Sequence, residues 1–449
     1  MNAPSEHVSA KSTPRIPFVT AANFKQRSPV MACPALPSWR GFFPLALTAV
    51  VLAFPIPGAS QPQALPNTQL LEMSGDLSAQ MLTGIDAFLL RELDASVANR
   101  ASLWQRDLTS PAAYVRSVQP NRERFRTAIG AVDELPARTE LEWVATTAAP
   151  ALIAETDRYR VFTVRWRVFE NVHGEGLLLQ PKAPPRARII ALPDADQTPE
   201  MLAGLVPGIL PALQHARRLA ESGAQVIVPV LIDRGDAWSG NARLNRFTNQ
   251  PHREWIYRMA YQMGRHIIGY EVQKVRAAVN WFVQENTSAE AIPIGITGYA
   301  EGGLIALYSA AVDTRIDASL VSGYFDSRQS VWKEPVYRNV FSLLHEFGDA
   351  EIASLITPRS LVIDARRGPE IAGPPAPRSG RSGAAPGMIT PPTFASTQAE
   401  WARARALIGP AFSPRIQLID PTPEPAEDGG GERALQAFWS ALHGHELPL

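Results

Sequence analysis

The spacing of apolar residues changes several times between residues 139 and 442, and the order of the changes predicts an architecture. Over 139–168 the period is close to two. Leu141, Trp143 and Ala145 are followed by Tyr159, Val161, Thr163, Arg165 and Arg167, which alternate with Val164, Trp166 and Val168. This alternation predicts antiparallel strands with one buried and one wet face, running on to Gly174–Leu179. Beyond them short apolar runs take over, at 188–192, 225–232, 292–296, 318–324, 360–364 and 415–420. Between the runs lie stretches of helical period, at 207–220, 255–284, 302–312, 340–347 and 432–442. Apolar strands alternating with amphipathic helices predict a mostly parallel sheet covered by helices on both faces.

Upstream, Leu70, Leu71, Met73, Met81, Leu82, Ile85, Phe88, Leu89 and Leu93 recur at i, i+3, i+4 spacing, which predicts a small helical prefix. The division expected is a presequence over 1–60, a helical region over 61–135 and an α/β domain over 136–449. The Pro-, Gly- and Arg-rich stretch 368–393 has no period and reads as a long loop over one edge of the sheet.

Residues 41–54 are an uncharged run that follows Arg40 and precedes the small residues ending at Ser60. Charged, apolar and small segments in that order predict a secretory signal cleaved after Ser60, with Met31 as a start of normal length. The run is too short for a stable membrane span, so a secreted or periplasmic protein is expected, with an N-terminal membrane anchor as the alternative. Cys33, the single cysteine, precedes this run. A processed chain would have no disulfide, thiolate nucleophile or cysteine-bound metal. Val30-Met31-Ala32-Cys33 looks like a lipidation site, but no apolar stretch precedes it. Lys+Arg and Asp+Glu balance at 43 each, which gives no reason to expect nucleic acid as a partner.

The candidate chemistry centres on Gly298-Tyr299-Ala300-Glu301-Gly302-Gly303, between an apolar strand and a helix. Strand, sharp glycine-rich turn and helix form the setting of the nucleophile elbow G-x-S-x-G, with Ala300 where serine is required. A methyl group cannot attack a carbonyl. An ordinary tight strand-to-helix turn would fit the same glycines.

Further stretches strengthen the first reading. Ala191-Leu192-Pro193-Asp194-Ala195-Asp196, Asn249-Gln250-Pro251-His252-Arg253-Glu254, Gly269-Tyr270-Glu271-Val272-Gln273-Lys274-Val275, the elbow itself, 310–317 and 353–362 resemble the dienelactone hydrolase and acetyl xylan esterase-like branch of the α/β-hydrolase superfamily. The resemblance spans about 136–445 and implies an α/β-hydrolase fold with serine, acid and histidine in that chain order. Serine falls on Ala300, and the acid on Asp364 or Glu370. The histidine belongs between the last strand and last helix, where Pro421–Gly431 contains none. Two of three triad positions are vacant.

Strand ends converge on the site in such folds. Asp194, Asp196, Asp233, Arg234, Asp236, Tyr299, Glu301, Tyr324, Asp326, Asp364 and Asp420 would then surround the mouth of the sheet. So many carboxylates could serve a cation or sugar hydroxyls, or could act as turn-formers and helix caps. Asp194, Asp196, His252, Tyr299, Glu301 and Asp326 are the pocket candidates, for a small-molecule or carbohydrate ligand. No cofactor or metal is expected. Ser309 and Ser322 lie inside predicted elements and make poor substitute nucleophiles. His345 reads as a helix residue, and His443 and His445 as tail. A secreted, catalytically degenerate binding or scaffold protein is the expectation, with an ester hydrolase using a rearranged site as the alternative.

Overall fold

A computed structural model describes residues 64–70, 74–287, 291–421 and 431–449. The run 41–54, Met31, Cys33, the Ser60 cleavage point and most of 421–431 lie outside the described residues. The chain divides into two units, Met1–Ser74 and Gly75–Leu449, and the second holds the sheet and the helices around it.

The sheet contains β1 (Leu141–Trp143), β2 (Leu152–Glu155), β3 (Tyr159–Phe169), β4 (Val172–Pro181), β5 (Ala187–Leu192), β6 (Ala224–Pro229), β7 (Ile294–Tyr299), β8 (Ala318–Ser322), β9 (Ser360–Asp364) and β10 (Ile416–Ile419). The spatial order is β1-β3-β4-β6-β5-β7-β8-β9-β10, with β2 beside β3. β3 and β4 form a long antiparallel hairpin, and β4 is antiparallel to β6. From β6 onward every neighbouring pair is parallel. β5 to β9 are buried from end to end apart from Tyr299, which explains why they read as apolar runs and not as alternations.

The helices are α1 (Leu77–Asn99), α2 (Pro111–Ser117), α3 (Gln119–Ala128), α4 (His215–Glu221), α5 (His252–Gln262), α6 (Ile267–Glu285), α7 (Glu301–Val312), α8 (Asp349–Ile356), α9 (Phe394–Phe412) and α10 (Gly431–His443). Two apolar layers sandwich the sheet. One contains Phe125, Ile268, Val272, Phe282 and Leu304, and the other Leu219, Val226, Leu320, Phe438 and Trp439. Among the described residues no helix is long and apolar enough to cross a membrane.

Several elements depart from the sequence pattern for physical reasons. The helix expected over 207–220 shrinks to α4, because Pro207, Gly208 and Pro211 interrupt its first half. The one expected over 255–284 is two helices, broken where Gly264 turns to φ +63°. The stretch 340–347 supplies only the single turn Leu343–Glu346. The longer helix is α8, whose start is closed by Glu351 accepting the Gly348 N–H at 2.9 Å. β2 and α9 are additions. α9 has a weak apolar period and carries Gly409-Pro410 near its end. α1 forms, but its apolar stripe faces solvent.

Candidate functional site

At the end of β7 the chain turns into α7 through Ala300, whose φ of 53° and ψ of −110° lie where a residue with a Cβ is strained. Such a conformation costs on the order of 1–3 kcal/mol and persists only when its surroundings impose it. Here the Ala300 N–H donates to Ser322 O at 2.9 Å, and its carbonyl accepts from Leu304 N at 3.0 Å. A Cβ on Gly298 would run into the Gly302 carbonyl, and one on Gly302 into the carbonyls of Leu192 and Pro193. Strand and helix therefore touch backbone to backbone, and Ala300 stands at the apex. An ordinary turn would not force a β-carbon into this geometry.

The fold is that of the α/β-hydrolases. No protein-family model matches the chain, and no curated protein matches it. Among solved structures, a candidate acetyl xylan esterase of Bacteroides fragilis is 14% identical, covering 78% of this chain and 84% of its own at a TM-score of 0.49. A glucuronoyl esterase of Solibacter usitatus is 11% identical, covering 75% and 94% at a TM-score of 0.45. A family 15 glucuronoyl esterase of Caldicellulosiruptor kristjansonii is 13% identical, covering 76% and 87% at a TM-score of 0.41.

In hydrolases of this fold the backbone N–H after the nucleophile stabilises the oxyanion. Here that group belongs to Glu301, and it donates to Asp194 Oδ1 at 3.0 Å. Asp194 follows β5 and is buried. Arg234 grips its two oxygens at 2.7 and 2.9 Å. Burial alone would raise the Asp194 pKa, but the Arg234 hydrogen bonds and charge outweigh it and hold the carboxyl below its ordinary range. An anion supplied by the chain thus already occupies the donor that a reacting carbonyl would need.

Glu301 carries this arrangement from beneath. Its side chain has no solvent exposure, and its carboxylate meets Arg338 at 2.7 Å, Arg253 at 2.9 Å and Arg234 at 3.3 Å. Burial pushes the Glu301 pKa up, but Arg338, Arg253 and Arg234 together hold it far below the carboxylate range. The cations are compensated in turn. Arg338 and Arg328 share Glu334, Arg253 approaches Glu271, and Lys274 pairs with Glu271. Burying charge on this scale is tolerable only because nearly every ion has an opposite partner in contact.

Above Ala300 the space is small. A cavity of about 30 Å³ is lined by Ala300, Tyr324, Asp326, Arg328 and Arg338, and roofed by Pro369 and 389–392. That is room for a water molecule and far too little for an ester. The roof is the segment 368–393, which crosses the mouth of the sheet and not an edge. Arg378 pairs with Asp236 at 2.6 and 2.9 Å, the Asn249 side chain donates to Pro375 O and accepts from Ala384 N, and Gln250 donates to Gly383 O. The Tyr324 side chain on the cavity wall is buried, and its hydroxyl faces that of buried Tyr308.

The remaining candidates are mostly committed to contacts. Asp364 accepts the Arg366 N–H at 3.1 Å and pairs with its guanidinium, while Glu370 pairs on the surface with Arg367. Tyr299 donates its hydroxyl to Arg367 O, and Arg366 lies over its ring. Asp196 is half-exposed and pairs with Arg234. Asp326 accepts from Ser396 and Ser327, and burial raises its pKa.

His252 accepts the Trp238 N–H at Nε2, 2.9 Å, so its Nδ1–H donates to Asp233, 2.7 Å. Neither nitrogen is left to take a proton from a nucleophile. His443 faces the carbonyls of Trp439 and Arg186. Ser309 and Ser322 are buried. No described histidine lines the cavity at Ala300. Among the described residues no group of three His, Cys, Asp or Glu side chains is arranged to hold a metal.

The sequence pattern places Arg234 at the mouth of the sheet but not Arg253, Arg328 or Arg338, and the four together turn the expected carboxylate cluster into a neutralised network. Arg234 and Arg253 each sit beside acids in Asp233-Arg234-Gly235-Asp236 and His252-Arg253-Glu254, and that juxtaposition is the available signal. His215 carries no signal of its own. It is buried at the start of α4 with Nε2 unpartnered, and burial together with Arg366 drops its pKa to about 3.

Proposed function

We propose that this esterase-like α/β-hydrolase-fold protein no longer hydrolyses esters and acts as an exported binding or scaffold protein, delivered by the segment 1–60. The observation carrying this reading is the Glu301 N–H donated to Asp194, beside an elbow that has Ala300 in place of serine. Loss of the nucleophile alone costs about 10⁶ in turnover, and loss of one oxyanion donor about 10²–10³. With no histidine in 421–431, the general base is also gone. What remains is a rigid shell with a fixed internal anion. A small-molecule or carbohydrate ligand would bind outside the elbow, since the enclosed space takes only water.

The test is to treat the purified chain with a fluorophosphonate probe and p-nitrophenyl acetate, alongside Ala300→Ser and Ala300→Ser/Asp194→Asn, with melting curves to confirm folding. None of the three is expected to label or turn over above background. Robust turnover by the unaltered chain would overturn the proposal in favour of a rearranged catalytic site. Turnover by Ala300→Ser alone would show that a working base lies within reach and that Asp194 does not block the donor.

A further inference from the structure

α1 leaves the body of the protein with its apolar stripe uncovered. From Ser78 to Glu92 nearly every residue is exposed, and Met81, Leu82, Ile85, Phe88 and Leu89 share one face. The C-terminal end of the helix is fixed. Buried Arg100 donates to Leu344 O at 2.9 Å and to the Gln329 side chain at 2.7 Å, so α1 is held at one end. Beside its anchored half runs an apolar groove of about 520 Å³, walled by Leu89, Leu93 and Leu103 on one side and Trp332, Val340 and Leu343 on the other.

Gly84 flanks the stripe beside Met81 and Phe88, and a Cβ there would meet nothing within 4 Å. A helix-weakening residue with no close neighbour among the described residues suits close approach by a helix from outside.

We infer that this surface is a dimer interface, in which the stripe of one α1 packs antiparallel against the same stripe of a second copy, crossing near Gly84. Each of the five large side chains offers on the order of 100 Å², so the pair buries roughly 1,000 Å² from the stripe alone, at the lower edge of a specific interface. The groove walls, covered by the partner's free half-helix, bring it above that edge. A two-fold arrangement needs only one self-complementary patch, which α1 provides.

The charges disfavour a lipid surface. Asp86, Glu92 and Asp94 outnumber Arg91 on the helix, whereas interfacial helices on anionic membranes carry lysines and arginines on the polar face.

The full chain is expected to be in monomer–dimer equilibrium by analytical ultracentrifugation, with a dissociation constant on the order of micromolar. Ile85→Glu/Phe88→Glu should weaken the dimer by about 100-fold or more while leaving the melting temperature unchanged at concentrations below the dissociation constant, where both positions are solvent-exposed. In a Cys33→Ser background, Ile85→Cys should form an intermolecular disulfide, and Ala87→Cys, on the opposite face, should not. A chain that stays monomeric at about 100 times the expected constant would overturn the inference. A dimer indifferent to the double substitution would overturn it as well, by placing the interface elsewhere. Co-sedimentation with phosphatidylcholine vesicles, abolished by the same substitutions, would assign the stripe to lipid instead.

Discussion

Replacing Glu301 with Gln tests the charge network with little change of shape. The carboxylate accepts from Arg338 Nε at 3.0 Å and Nη2 at 2.7 Å, from Arg253 Nη2 at 2.9 Å and from Arg234 Nη2 at 3.3 Å. Glutamine keeps one acceptor oxygen but turns an NH₂ group toward guanidinium donors, so at least one arginine faces a donor across a dry contact. Breaking a buried ion pair by removing one partner costs about 3–5 kcal/mol, most of it the uncompensated charge left behind. Unfolding entropy near the midpoint is about 2.1 cal/mol/K per residue, so the roughly 375 residues of Gly75–Leu449 give about 0.8 kcal/mol/K. The loss therefore corresponds to a fall in melting temperature of about 4–6 °C. Differential scanning calorimetry at pH 7 measures it directly.

The pH dependence has a definite sign. The folded pKa of Glu301 lies below its unfolded value, so its contribution is present above the unfolded pKa, near 4.3, and is lost as pH falls toward the folded one. The gap between wild type and Glu301→Gln should hold from pH 7 to about 5 and narrow below pH 4. A melting temperature within 1 °C of wild type at pH 7 would refute the claim that Glu301 anchors the three arginines. A constant gap down to pH 3 would refute the titration behind it.

Asp349 gives the opposite slope. It is fully buried with Oδ1 unpartnered, and burial lifts its pKa to about 8 against the attraction of Arg328. Its folded pKa is above the unfolded one, so its contribution is full below about pH 3.9 and is lost as pH rises to about 8. Asp349→Asn should therefore gain on wild type by up to about 1.4 kcal/mol per pH unit across that window, and melting curves showing a flat difference would remove the argument. Asp236→Ala should release the loop over the elbow, which Asp236 holds through Arg378 and Arg381. Trypsin should then cut after these residues about tenfold faster, and an unchanged rate would mean that the Asn249 and Gln250 contacts suffice.

How far the sequence could be read depended on the range of the interactions. The apolar runs at 188–192, 292–296, 318–324 and 360–364 announced buried parallel strands, because a strand covered on both faces has no wet positions to alternate with. Gly298, Gly302 and the missing serine were legible because an elbow forces tiny residues to fixed offsets along one short segment. Helix breaks at Gly264 and Gly348, and the weakly periodic α9, escaped because their turns carry no apolar period.

Only the tertiary structure decided what the mouth of the sheet became. A carboxylate looks the same in sequence whether it faces water, a ligand or an arginine. Asp194, Arg234, Glu301 and Arg338 lie up to 144 positions apart, and their pairing follows from strand order, which brings the ends of β5, β6 and β7 together. The same holds for the roof. A proline-rich stretch without a period predicts a loop, but its seat across Ala300 is fixed by Asp236, Asn249 and Gln250, more than 120 residues earlier. Local steric rules wrote the elbow into the sequence. Long-range pairing of charges, which leaves no periodic trace, determined that the elbow is filled.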